Sequence, residues 1–182
     1  MELSWVEKYR PATLEDVSSH KQIIKTLKKF MSEHTLPHMC FYGPPGTGKT
    51  STCVALAREL YGQHYQVMVL ELNASDDRGI NVVRTRIKEF ASTYPFDVSG
   101  VKLIILDEAD AMTNEAQLAL RRVMELYSDN VRFCLICNYL TKIIDPLQSR
   151  CTKFKFNTLE PKHIKKRIDF IAGEEGIDME KG

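Results

Sequence analysis

Four apolar runs, Met39–Tyr42, Val67–Leu72, Val101–Leu106 and Val131–Cys137, are separated by stretches of helical periodicity, and no other feature constrains the fold as tightly. In those stretches Ala116, Leu120, Val123, Met124 and Tyr127 share one helical face, and Ile80, Val83, Ile87, Phe90 and Ala91 share another. Strands alternating with helices predict an α/β fold: a parallel sheet sandwiched by helices, with ligands at the carboxyl ends of its strands. The alternating run Cys151–Phe156 predicts a further short strand, and Pro161 suits the first turn of a helix running toward Glu174. A length of 182 residues allows one domain with a sizeable core and the start of another. The expected division is an α/β domain over 1–157 and a truncated helical domain beginning over 158–182.

Hydrophobic residues at 43% and charged residues at 27% are those of an ordinary soluble globular protein, and no stretch reads as a signal peptide or an eighteen-residue apolar span. An intracellular protein without a membrane partner is the expectation. The formal charge of +1 gives no global pull toward nucleic acid, so any such contact must come from a local stripe. Five cysteines at irregular spacing suit free thiols. Cys134 and Cys137 spell C-x-x-C, but on a strand residues three apart face opposite ways, which predicts two buried structural thiols.

Gly43-Pro-Pro-Gly-Thr-Gly-Lys-Thr50 follows the first apolar run, opens a helix rich in alanine and leucine, and matches G-x-x-x-x-G-K-[ST] at every position. Gly43, Gly46 and Gly48, with Pro44, Pro45 and Thr47 among them, let backbone N–H groups turn inward around phosphate oxygens, and the helix start adds its positive dipole end. Lys49 is expected to reach the β and γ phosphates, Thr50 to hold Mg²⁺ through its hydroxyl, and Ser51 to be among the residues that bind the nucleotide. The run Leu103-Ile-Ile-Leu-Asp-Glu108 is read as the second half of the site: a buried strand delivers Asp107 to its carboxyl end, where it can hold Mg²⁺ partly through water. Glu108 next to it is placed to orient or deprotonate water, which favours hydrolysis over transfer to an acceptor. Two acids capping the next helix would also suit its positive end. Asn138 closes the fourth run at the same edge, with an amide able to touch the γ-phosphate and the attacking water.

Arg150 stands at the amino end of the strand expected over 151–156. If that strand is parallel to the others, Arg150 lies on the sheet edge opposite the phosphates, roughly 17–20 Å away and too far to serve its own site. A planar, permanently charged guanidinium with no use in cis suits the γ-phosphate of a neighbouring subunit. A surface arginine paired with a carboxylate is the plainer alternative.

Together with Val6-Glu-Lys-Tyr-Arg-Pro11, Leu72-Asn-Ala-Ser-Asp-Asp-Arg-Gly79, Leu106-Asp-Glu-Ala-Asp110, Ala119-Leu-Arg-Arg122 and Ser149-Arg-Cys151, the loop resembles the AAA+ ATPases, and within them the small subunits of replication factor C, the eukaryotic sliding-clamp loader. Cys134-Leu-Ile-Cys-Asn-Tyr139 looks most like the subunit at the centre of that five-membered spiral. The resemblance implies a P-loop AAA+ domain using ATP and Mg²⁺, an adenine pocket lined by Val6, Tyr9, Arg10 and Pro11, Asn138 as the first sensor, and Arg150 as an arginine finger in trans. The second sensor arginine belongs to the family's lid domain, and no such motif precedes Gly182. Implied partners are the other subunits of a hetero-pentamer, the sliding clamp and primer-template DNA, in the nucleus.

On the helix after Gly79, Asn81, Arg84, Thr85 and Lys88 fall along one flank, spaced to follow a phosphate backbone, and the resemblance favours a DNA duplex over a merely solvated face. In the family the region of Ser92-Thr-Tyr-Pro-Phe96 meets the clamp, which assigns Tyr94 and Phe96 to that contact; folding back into the core is the alternative. The competing readings of the whole are a P-loop kinase or other transferase, an AAA+ subunit of another remodelling assembly, and a subunit that binds nucleotide without hydrolysing it.

Overall fold

The protein is described by a computed structural model over residues 4–76, 80–93 and 99–178; of residues 80, 82 and 83 only the backbone is described. The helices are α1 Trp5–Lys8, α2 Lys21–Ser32, α3 Lys49–Tyr61, α4 Tyr65–Met68, α5 Ile80–Ser92, α6 Asn114–Leu126, α7 Asp145–Gln148 and α8 Pro161–Glu175. The strands are β1 Met39–Tyr42, β2 Val69–Asn73, β3 Lys102–Asp107, β4 Val131–Cys137 and β5 Thr152–Lys155. They form one sheet in the order β2-β3-β4-β1-β5, and every pairing is parallel. The predicted α/β sandwich is therefore the observed fold.

Period-two alternation divides the core between the two faces of the sheet. Leu103, Ile105, Cys134 and Ile136 pack with Met39 and Phe41 against Leu27 of α2 and Val54, Ala55 and Leu56 of α3. Ile104, Leu106, Phe133, Leu135 and Cys137 pack on the other side against Ile87 of α5 and Leu120, Val123 and Met124 of α6. Cys134 and Cys137 thus belong to opposite layers, and Cys40, Cys53, Cys134, Cys137 and Cys151 are all free and buried. The cation of Lys102 is also buried: its Nζ donates to the Phe90 carbonyl at 2.6 Å and to Thr93 Oγ1 at 2.6 Å, fastening the end of α5 to β3.

Three strands differ in their bounds from the reading of the sequence. The second strand begins at Val69, because Tyr65–Met68 makes a helical turn that puts Met68 in the core and leaves Val67 about half exposed. The third runs Lys102–Asp107, one residue later than the apolar run, and the fifth is Thr152–Lys155, shorter by one residue at each end than 151–156. The last helix does start at Pro161, and it ends at Gly176, whose φ of +64° is the left-handed stop favoured by glycine.

Candidate functional site

β1 delivers the chain into the loop Gly43–Gly48, and α3 leaves it at Lys49. Gly43 takes a φ of +146°, and a Cβ there would lie 2.0 Å from the Phe156 carbonyl oxygen, so only glycine lets the loop pass the end of β5. Gly46 and Gly48 follow with φ of +72° and +90°. Thr47 Oγ1 donates to the Pro44 carbonyl at 2.9 Å and Thr52 Oγ1 to the Gly48 carbonyl at 2.7 Å, tying the loop to itself and to the helix it opens.

Lys49 is 6% exposed, and its Nζ donates to the carbonyls of Gly43 and Pro44, each at 2.8 Å. Burial lowers its pKa; the nearby Cys137, Asp107 and Asp110 act against that shift. The ammonium is held by weak neutral acceptors that a phosphate oxygen would outcompete. Thr50 Oγ1 donates to Asp107 Oδ2 at 2.7 Å, and Asp107 Oδ1 accepts the Glu108 N–H at 2.8 Å. A hydroxyl and a carboxylate in contact are hard oxygen donors of the kind Mg²⁺ takes alongside phosphate and water, so the residues fit that ion.

Glu108 adopts φ +53° and caps the 3-10 turn Ala109–Ala111. Asp110 Oδ2 accepts the backbone N–H groups of Asn138 and Tyr139, each at 3.1 Å, which fixes the end of β4 beside the end of β3. Pro45 to Ser51, Asp107, Glu108, Asp110, Cys137 and Asn138 line one open cavity of about 310 Å³. Pro45 to Ser51, Asp107, Glu108 and Asn138 are therefore brought together as expected, whereas Gly43 and Pro44 do not line the cavity and meet it through the carbonyls that hold Lys49. A hydrogen bond to Cys40, then burial, raises the Cys137 pKa and keeps the thiol protonated.

A second recess, of about 500 Å³, shares Gly46, Thr47, Gly48 and Ser51 with the first and is closed by Val6, Tyr9, Arg10 and Pro11 from the N-terminal arm and by His163, Ile164, Arg167 and Ile168 of α8. Arm and helix are clasped: Tyr9 Oη donates to Glu175 Oε1 at 2.5 Å, Lys8 Nζ to the same oxygen at 2.6 Å, and Arg167 donates to the Tyr9 carbonyl. Arg10 pairs with Glu7 at 2.9 Å, while its Nε is buried with no hydrogen-bond partner. An unsatisfied donor at such a place suits a ligand.

Arg150 precedes β5, and because β5 is parallel to β1 it stands at the sheet edge away from the loop. Its guanidinium is part exposed and pairs with Glu125, which also accepts from Arg121 Nε at 3.1 Å. On α5, Asn81, Arg84, Thr85 and Lys88 are all exposed while Ile87 and Ala91 are buried. Tyr94 and Phe96 lie outside the described residues, as do the side chains at 80 and 83 that were assigned to the inner face.

Three contributors escape a reading of the sequence alone. Asp110 was visible only as the last letter of Leu106-Asp-Glu-Ala-Asp110, with nothing to say that it holds Asn138. The face of α8 in the second recess comes from the far end of the chain and carries no motif. His20, whose Nε2 lies 3.1 Å from the Thr47 carbonyl, had no signal at all.

The family described as "ATPase family associated with various cellular activities (AAA)" matches residues 39–159. Replication factor C subunit 3 of Schizosaccharomyces pombe is 61% identical over 98% of this chain and 52% of its own length. Replication factor C subunit 3 of Saccharomyces cerevisiae is 62% identical and subunit 5 of Homo sapiens 57%, each over 97% of this chain and 52% of the relative. The chain thus spans about half the length of these curated relatives. Two RuvB variants of Thermotoga maritima share the fold with TM-scores of 0.70 and 0.72 at 19% and 17% identity, over 94% of this chain and 56% of theirs.

Proposed function

We propose, because the chain belongs to the AAA family of ATPases and sits among the small subunits of replication factor C, that it binds and hydrolyses ATP as one subunit of a sliding-clamp loader. The observation that carries the reading is the convergence of Lys49, Thr50, Asp107, Glu108 and Asn138 on one cavity at the carboxyl ends of β1, β3 and β4. The triphosphate would lie along Gly43–Thr50 and the adenine in the adjoining recess, where Arg10 Nε offers a donor to a ring nitrogen. Thr50 and Asp107 would hold Mg²⁺, which when bound neutralises charge on the β and γ phosphates. Asn138, fixed through Asp110, positions a water. As water oxygen bonds to the γ-phosphorus and the bond to ADP breaks, Glu108 accepts the water's proton.

Helix α8 is then the beginning of a lid over the nucleotide, which gives the domains 1–157 and 158–182. Arg150 would reach the γ-phosphate of the next subunit in a hetero-pentamer, exchanging Glu125 for it. Asn81, Arg84, Thr85 and Lys88 would track the backbone of primer-template DNA, and Tyr94 and Phe96 would meet the clamp, in the nucleus. No helix among the described residues is long and apolar enough to cross a membrane. ATP turnover of the assembled loader, with and without clamp and primed DNA, tests the reading: stimulation by both supports it. Turnover indifferent to both would place the chain in another AAA assembly, and tight binding without turnover would make it a binding-only subunit.

A further inference from the structure

His20 occupies the N-cap of α2 with φ +57°, a left-handed backbone that histidine adopts only occasionally. That conformation turns its ring toward the loop, where Nε2 lies 3.1 Å from the Thr47 carbonyl oxygen. The ring also packs on Phe156, centroid to centroid 4.8 Å, and Phe156 is fully buried with its own carbonyl against Gly43. Histidine and phenylalanine therefore buttress the loop from outside at two points. Burial lowers the His20 pKa, against the Thr47 hydrogen bond, and so favours the neutral ring. A carbonyl can only accept, so the proton of that ring is on Nε2.

In a trans peptide the C=O and the following N–H point in opposite directions, and the described chain has no cis bond. Fastening the Thr47 carbonyl to His20 on the outside therefore aims the Gly48 N–H the other way. Gly48 lines the phosphate cavity, and glycine φ values of +72° and +90° on either side of Thr47 leave this peptide plane free to rotate unless something holds it. We infer that His20 is a positioning residue for the phosphate loop, donating from Nε2 to the Thr47 carbonyl so that the Gly48 N–H is pre-aimed at a phosphate oxygen. The inference rests on reading Gly43–Thr50 as the phosphate cradle.

Two substitutions separate the donor from the ring. His20→Phe keeps a ring on Phe156 and removes the donor; His20→Gln removes the ring and keeps an N–H of similar reach. Titrate each with Mg²⁺-ADP and with adenosine, record the unliganded melting temperature, and follow the Gly48 amide resonance. His20→Phe should lose about 3- to 10-fold in ADP affinity, the worth of one hydrogen bond. Adenosine affinity should hold, the melting temperature should fall because phenylalanine suits the φ of +57° less well, and the shift of the Gly48 amide on adding ADP should shrink. His20→Gln should recover most of the affinity and the shift. Wild-type ADP affinity in His20→Phe, an equal loss for adenosine, or no recovery in His20→Gln overturns the role. Lys49→Ala is the control for the cradle itself: if it binds ADP like the wild type, the phosphate reading fails, whereas a normal Lys49→Ala defect with a silent His20→Phe defeats only the inference about His20.

Discussion

Glu108 is held in a left-handed backbone, φ +53°, by its place as the cap of a 3-10 turn, and its N–H is engaged by its neighbour Asp107. A non-glycine residue at positive φ costs of order 1–3 kcal/mol and persists where the surroundings impose it, often at functional sites. Asp107, at the end of β3, accepts from Thr50, while Glu108 stays exposed at the cavity. Glu108→Gln should keep ATP affinity within about twofold and lower turnover by about 10²-fold or more, since the amide has the shape but cannot take the water's proton. Nucleotide binding measured beside single-turnover hydrolysis checks this, and normal hydrolysis would remove the role. The motif residues Gly43–Thr50, Asp107 and Glu108 were legible because phosphate chemistry demands those types at adjacent positions. Asp110 and His20 were not, because each acts by a bond to a backbone group far away in sequence, Asn138 N–H and the Thr47 carbonyl, and a backbone group has no letter of its own.

The strands were legible from apolar runs and α5 and α6 from their faces, because both periodicities follow from burial; α2, which buries Leu27, lies before the first run and was not read from the sequence. Where burial and propensity disagree the sequence misleads: Val67 is β-branched, yet the turn of α4 is what buries Met68. One joint between elements carries a pH dependence. His38 Nδ1 accepts the Phe133 N–H at 3.1 Å, binding the residue before β1 to β4, and burial, with the cations of Arg132 and Arg150 nearby, lowers its pKa to about 4. The folded value lies below the unfolded value of about 6.5, so its contribution is complete above pH 6.5 and is lost as pH falls from 6.5 toward 4. Denaturation at pH 7 and pH 5 should differ by about 1–2 kcal/mol from this group. His38→Asn, which keeps an acceptor and cannot titrate, should flatten the slope; an unchanged slope would acquit His38. On α5 the polar flank is tested by reversing charge: Arg84→Glu with Lys88→Glu should weaken DNA-stimulated turnover and reduce the salt slope of DNA binding by about two charges, with ATP binding unchanged. An unaltered salt slope returns the flank to plain solvation.

At the scale of the molecule, β5 joins two unlike tasks, with Arg150 before one end and Phe156, the support of Gly43, after the other. Arg150→Ala should leave ATP affinity at the chain's own site within about twofold and lower hydrolysis at the adjacent subunit's site by about 10-fold or more, below the 10³–10⁵ known for GTPase fingers because several sites share the work. A pentamer with a single competent site decides it, the alanine being placed first in the owner of that site and then in its neighbour. Loss only in the first arrangement would contradict action in trans. The clasp between the arm and α8 has a mechanical meaning as well. Tyr9 is bonded to Glu175 and Arg167, so α8 and the arm are coupled like a latch and its handle. If α8 swings about residues 157–160, it pulls Tyr9 from one wall of the recess while its own face leaves the other. The recess would then open on both sides in a single stroke, while the loop Gly43–Gly48, rooted between β1 and α3, would stay where it is.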